Sequence, residues 1–321
     1  MKALKGILII IFIFYAVPLG RPNVFRKSYH TISDFVLSIS HITQRARISN
    51  LVKKLKKTNP INIIKIHEEL KLNGEKDHEY FSTHNPYYPQ YEEHYESLEN
   101  LKYPLPQSPH GIIIRGRSKK IKYYSQESVV AWESNPGKNN FVCAIQFTDN
   151  KKFNYKLKSF PTRKAAENAK YMITHHGKCG MCSTLEDLAV YLAKPNLTAP
   201  ARKCSKGINI SSIANCYKQN IGFSTYCSEQ WAYNSIHTRQ RCGEICLEHY
   251  GFFNILLDRI QKPNIDKDGY LNICLACDEF KSGSGFKYGA GRTRRNSGIY
   301  SAIERDDFEI YKIDHYRYFS P

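Results

Sequence analysis

The sequence predicts an α+β fold, a small antiparallel sheet followed by a helical, disulfide-rich segment. Three observations carry that expectation. Four β-rich runs separated by turn residues lie between Gly111 and Lys158. Apolar residues at helical spacing follow, from Pro161 to Ile260. All ten cysteines fall between Cys143 and Cys277, an even and clustered set. Strands first and helices after them, in separate blocks, is the α+β order.

The elements follow from the N-terminus. Lys2 and Lys5 precede the apolar run Ile7 to Val17, which Pro18 and Gly20 close. A charged start, a short apolar stretch and small breakers make residues 1–20 a signal peptide. The run is shorter than the about 20 apolar residues of a spanning helix. A single-pass N-terminal membrane anchor is the alternative.

Residues 21–108 read as a basic helical extension and an acidic linker. From 21 to 60 there are nine Lys or Arg against one acid, Asp34. Ile32, Phe35, Val36, Ile39 and Ile42 fall at helical spacing, and Leu51, Val52 and Leu55 continue the stripe before Pro60. Such a helix can lie on a membrane or a partner, but amphipathic helices more often pack on their own domain. From Asn62 to Pro109 nine acids mix with Tyr, His and Pro, a composition suited to a linker or a wrapping segment. If the main domain is a protease, residues 21–108 read as a removable pro-segment.

The cysteine-rich α+β domain spans 109–321. Its strands are expected at 111–115, 128–132, 141–147 and 155–158. A first helix starts near Pro161–Thr162 and runs on to His175, His176 and Gly177. A second covers Ser183 to Leu192, a third Cys227 to His249, and a fourth Phe252 to Ile260. The last sixty residues return to turns and short strands. Asn264 to Leu271 opens like a calcium loop, but Leu275 occupies the position of the bidentate Glu, so it reads as an Asp-Gly turn. His237 and His249 read as surface or packing residues of the third helix.

Cysteine usage sets the compartment. Behind a signal peptide, Cys143, Cys179, Cys204, Cys216, Cys227, Cys242, Cys246, Cys274 and Cys277 are candidates for a disulfide framework. The sequons at Asn196 and Asn209 agree with a secreted or secretory-lumen protein. The net charge is +18. In that setting the expected partners are an acidic glycan, an anionic membrane surface or an acidic protein, and not nucleic acid. A soluble basic protein with no polyanion partner is the competing reading.

The loop His175-His176-Gly177-Lys178-Cys179-Gly180-Met181-Cys182-Ser183 is the candidate site. Ser183 and Glu186 form a capping box, so a helix begins at or just after Ser183 and Cys182 sits at its positive end, where a thiolate is favoured. Glu186 and Asp187 oppose that effect. The stretch resembles the nucleophile loop of the papain-like cysteine proteases, Gln-Gly-x-Cys-Gly-x-Cys-aromatic. The resemblance implies that Cys182 is the nucleophile and Cys179 a structural half-cystine, with His176 in the place of the glutamine. It also implies a downstream histidine base. His315 lies 133 residues on (315 minus 182). A Cys–His pair needs no cofactor for acyl transfer or hydrolysis, because the base withdraws the thiol proton and returns it to the leaving group.

Other readings compete for these residues. A structural disulfide is one; if Cys182 is free, nine cysteines remain and a second must be free too. Cys179 and Cys182 also have the spacing of a thiol–disulfide exchange pair. Cys179/Cys182, Cys242/Cys246 and Cys274/Cys277 have metal-ligand spacing, although a secreted setting favours cystines over a metal. Arg292, Arg294 and Arg295 lie in a Gly- and Arg-rich stretch whose forks suit phosphate, sulfate or carboxylate. The sequence therefore points first to a secreted or lumenal cysteine-dependent enzyme. The second reading is a non-catalytic, disulfide-stabilised protein that binds an acidic ligand through the Arg loop and the basic helix.

Overall fold

A computed structural model describes residues 45–72, 84–95, 141–265, 271–303 and 310–320. The strands expected at 111–115 and 128–132 and the segment 1–20 lie outside the described residues. The chain divides into two compact units, residues 1–49 and 50–321; the architecture below is that of the second.

The fold is α+β, with a small sheet and a helical part held by five disulfides. The sheet contains β1 (Asn59–Pro60), β2 (Val142–Phe147), β3 (Asn154–Phe160) and β4 (Met172–His176), in the order β1-β3-β2-β4. β2 pairs antiparallel with both β3 and β4, while the short edge strand β1 pairs parallel with β3. In β3 the alternation Tyr155-Lys156-Leu157-Lys158 turns Tyr155 and Leu157 into the main core and leaves both lysines exposed. The register Ile145↔Leu157 and Val142↔Phe160 separates two cores. Cys143, Ile145, Tyr155 and Leu157 face the large one; Val142, Ala144, Phe160 and Ile173 form a smaller one with Ala166.

Ala166 belongs to α3 (Arg163–Asn168), which Thr162 caps by accepting a hydrogen bond from the Ala165 amide. Among the described residues, α1 (Ile63–Leu70) and α2 (Pro89–Glu92) precede it, after a helical run that includes residues 50–55. Leu51, Leu55, Ile66, Leu70 and Leu72 belong to the large core, so residues 50–72 pack with the cysteine-rich part. The helix expected to run from Pro161 to Gly177 is instead α3 followed by β4. Tertiary pairing decides this: β2 offers Val142, Cys143, Ala144 and Ile145 as ladder partners to the run Met172–His176.

The helical part begins with α4 (Leu185–Ala193), α5 (Thr198–Cys204) and α6 (Ile210–Cys216). The long α7 (Thr225–Tyr250), α8 (Phe252–Leu256), α9 (Ile273–Lys281) and α10 (Gly283–Ala290) complete it. α4 is capped by Thr184 rather than Ser183: Thr184 Oγ1 accepts from the Asp187 amide and donates to Asp187 Oδ2 at 2.5 Å. α9 and α10 replace the turns and strands expected there. Asn272 caps α9 through the Leu275 amide, and α10 packs against α7 and α9 in spite of its glycines. Among the described residues no helix is long and apolar enough to cross a membrane.

Candidate functional site

All ten cysteines are oxidised, in the pairs Cys143–Cys179, Cys182–Cys227, Cys204–Cys216, Cys242–Cys277 and Cys246–Cys274. Five disulfides point to a protein that folds in an oxidising, secretory or extracellular environment. They also correct the expectation for Cys182. Its sulfur is bonded to Cys227, 45 residues on, and the residue is fully buried. A half-cystine has no thiolate to attack a carbonyl. Cys179 and Cys182 take different partners, so they do not close the shared disulfide that an exchange pair requires. Among the described residues no group of three or more His, Cys, Asp or Glu is placed to hold a metal ion.

The loop amides are equally committed. Met181 N–H donates to Gly289 O at 2.9 Å and Cys182 N–H to Ala290 O at 2.8 Å. Gly180 N–H donates to Ser183 Oγ at 2.7 Å. The loop lies directly on residues 289–291: a Cβ added at Gly180 would stand 2.5 Å from Gly291 N, and Gly291 itself has φ +71. Glycine at both positions is what permits the approach. Ser183 Oγ also meets His175 Nε2 at 2.7 Å, while His175 Nδ1 donates to His176 O at 2.8 Å. Ser183 and His175 resemble a nucleophile and base, but both are fully buried, with Gly291 directly against Ser183 Oγ. They join β4 to the loop.

His315 and His176 do not form a catalytic set with Cys182. His315 is buried, with Nε2 donating to Ser297 O at 2.6 Å and Nδ1 3.2 Å from Tyr318 Oη. Burial, then the Arg292 charge, holds its pKa down to about 4. His176 stacks on Tyr311 at 3.8 Å, and burial followed by the Arg163 charge brings it to about 4 as well. Both imidazoles are neutral at pH 7.

The Arg loop is the second correction. Arg292 has no exposed surface. Its Nε donates to Cys182 O, Nη1 to Thr174 O and Ser297 Oγ, and Nη2 to Thr174 Oγ1 and Ser183 O. The fork that suits an oxyanion is saturated by the protein's own oxygens. Arg294 donates to Tyr191 O, Tyr300 O and Lys194 O, and burial lowers its pKa to about 10. Arg295 is half-buried, and its carbonyl accepts from the Tyr311 amide. Arg292 thus joins β4, the Cys loop and the Ser297 turn that holds His315. The candidate residues do meet in space, as a cohesive hub.

A different face presents accessible cations. Residues 141–178 carry eight Lys or Arg against two acids, Asp149 and Glu167. Lys156 and Lys158 project from β3 on the side that α3 covers, and Arg163, Lys164, Lys170 and Lys178 are exposed on α3 and the connections around β4. Arg163 pairs with Glu167 only at 4.0 Å, with both side chains about half exposed. Lys158 Nζ lies 5.1 Å over the Phe160 ring and Lys178 Nζ 4.7 Å over Phe141, and both lysines are exposed. The signal for this face was present as period-2 lysines in β3 and as the excess of cations in the sheet segment.

Asn196 and Asn209 are both exposed. Asn196 Oδ1 accepts from the Thr198 and Ala199 amides, and Asn209 caps α6 through Ser212.

A family model described as a family of unknown function (DUF8771) matches residues 210–313, from the start of α6 through the Arg loop. No curated protein and no solved structure matches the chain.

Proposed function

We propose that the chain is a non-catalytic, disulfide-stabilised protein of the secretory lumen or exterior, and that it binds an acidic ligand through the outer side of the sheet. The observation that carries this reading is the contrast between two sets of cations. Arg292 and Arg294 are consumed by carbonyls, whereas Lys156, Lys158, Arg163, Lys164, Lys170 and Lys178 are exposed. A single-sign surface raises the local concentration of an anionic partner and speeds its encounter, at a strength that falls with salt. Lysine ammonium groups act as hydrated point charges, suited to the sulfates and carboxylates of an acidic glycan without fixed geometry.

Immobilised heparin is the probe. The protein should be retained at low ionic strength and released by salt, and Lys156→Gln/Lys158→Gln/Arg163→Gln/Lys164→Gln should elute markedly earlier. Elution of that variant with the unaltered protein would remove the reading.

A further inference from the structure

The helical part exposes a second feature that the acidic-ligand reading does not use. After α7 ends at Tyr250, Gly251 turns the chain at φ +84 into α8. Phe252 is 58% exposed, Phe253 71%, Leu256 56% and Leu257 52%. Leu247, near the end of α7, is also exposed, and the Phe252 and Phe253 rings meet edge to face at 5.5 Å. Four large apolar side chains on about one helical turn are costly to hold in water, and contiguous patches of this kind mark interaction surfaces.

The surroundings say which kind. Lys206 Nζ donates to Leu256 O at 3.2 Å and pairs with Asp258 at 2.8 Å, and Lys262 Nζ donates to His249 O. The Arg202 guanidinium lies 5.6 Å over Tyr250, and Arg259 is exposed just past α8. Residues 202–206 and 239–262 together carry seven Lys or Arg against three acids. A second copy of the chain would bring the same cationic rim, and like charges would oppose the contact. Anionic headgroups complement the rim, and an apolar turn with aromatic and leucine side chains above lysines and arginines is the composition of an interfacial membrane contact.

We propose that α8 is a membrane-docking knob. Phe252, Phe253, Leu256 and Leu257 enter the headgroup–acyl boundary of an anionic phospholipid bilayer, and Lys206, Arg259 and Lys262 lie at the level of the phosphates. This inference is independent of the glycan reading, because it uses other residues on other elements.

The test is sedimentation of the full chain with vesicles of phosphatidylcholine alone or of phosphatidylcholine with phosphatidylserine. Binding should favour the phosphatidylserine vesicles and weaken with salt. Phe252→Ser/Phe253→Ser, an exposed pair whose replacement leaves the core intact, should bind about tenfold or more weakly. Arg259→Gln/Lys262→Gln should reduce the preference for phosphatidylserine and the salt dependence. All variants share the same N-terminus, so differences among them isolate the knob. Equal binding by the Phe pair and the unaltered protein would overturn the proposal, as would absence of binding to phosphatidylserine vesicles. The heparin elution of the Phe pair should be unchanged. Loss of vesicle binding in Lys156→Gln/Lys158→Gln, with retention in the Phe pair, would also overturn it.

Discussion

Replacing Arg292 with methionine removes five hydrogen-bond donations at the centre of the fold while keeping most of the side-chain volume. The acceptors left behind are Cys182 O, Thr174 O, Ser183 O, Thr174 Oγ1 and Ser297 Oγ. The two hydroxyls can turn to other partners, but the three carbonyls are fixed by the loop and by β4. Each buried acceptor left unpaired costs about 1–3 kcal/mol. Three of them imply on the order of 3–9 kcal/mol, against a total stability of about 5–15 kcal/mol for a typical domain. Relief from burying the Arg292 charge offsets part of that loss, since desolvation already lowers its pKa. Arg292→Met should therefore unfold at much lower denaturant than the unaltered protein. Arg292→Lys keeps the charge but lacks the planar fork, so it should lie between the two. Denaturant unfolding followed by circular dichroism gives the ordering. Arg292→Met within about 0.5 kcal/mol of the unaltered protein, the range of ordinary surface substitutions, would refute the hub argument.

Three further outcomes are expected. Cys182→Ser/Cys227→Ser opens a 45-residue loop, and chain entropy assigns that cystine about 4 kcal/mol; a melting temperature shift of a degree or less would contradict it. Burial holds His315 at about 4, against 6.5 in the unfolded chain. Between those values the unfolded chain takes up a proton that the folded one refuses, so stability is complete above pH 6.5 and declines toward pH 4, by on the order of 3 kcal/mol for this residue. Asp187, raised to about 6 by burial, acts in the opposite direction over pH 4–6, so the comparison of interest is with His315→Asn, whose melting temperature should vary less over that range. Finally, Gly285→Ala places a Cβ 2.5 Å from the Tyr87 ring. Tyr87 stacks on His237 at 3.9 Å and donates to Asn234 and the Ser282 carbonyl, so the substitution should loosen residues 84–95 and speed their proteolysis; an unchanged cleavage rate would argue against that seat.

The parts of this fold that were legible in the sequence are those specified by neighbours in the chain. The helices expected from Ser183 and from Cys227 are present as α4 and α7, with starts a residue or two away, because local capping sets them: the caps are Thr184 and Ser224. The alternation in β3 shows which face it buries. β4 was hidden because Met172–His176 continues a helical pattern until β2 is available to pair with it. α10 was hidden by its glycines, which weaken helix propensity, while α9 and its cap Asn272 were absorbed into a stretch expected to form turns and short strands. The site failed for a related reason. Helix-start logic placed Cys182 correctly, but its fate depends on Cys227, at the start of α7, and no spacing rule connects the two. Arg292 was recognised as a fork for oxygens, and it is one. The oxygens belong to Thr174, Cys182, Ser183 and Ser297, which only the folded chain brings together.

The most direct test of the structural reading of the Cys loop is a disulfide map of the natively folded protein, with free thiols alkylated before digestion. The account predicts no alkylated cysteine, and cystine peptides joining Cys143 to Cys179, Cys182 to Cys227, Cys204 to Cys216, Cys242 to Cys277 and Cys246 to Cys274. A free, rapidly alkylated Cys182, with Cys179 still tied to Cys143, would contradict it and restore a thiol nucleophile at the start of α4.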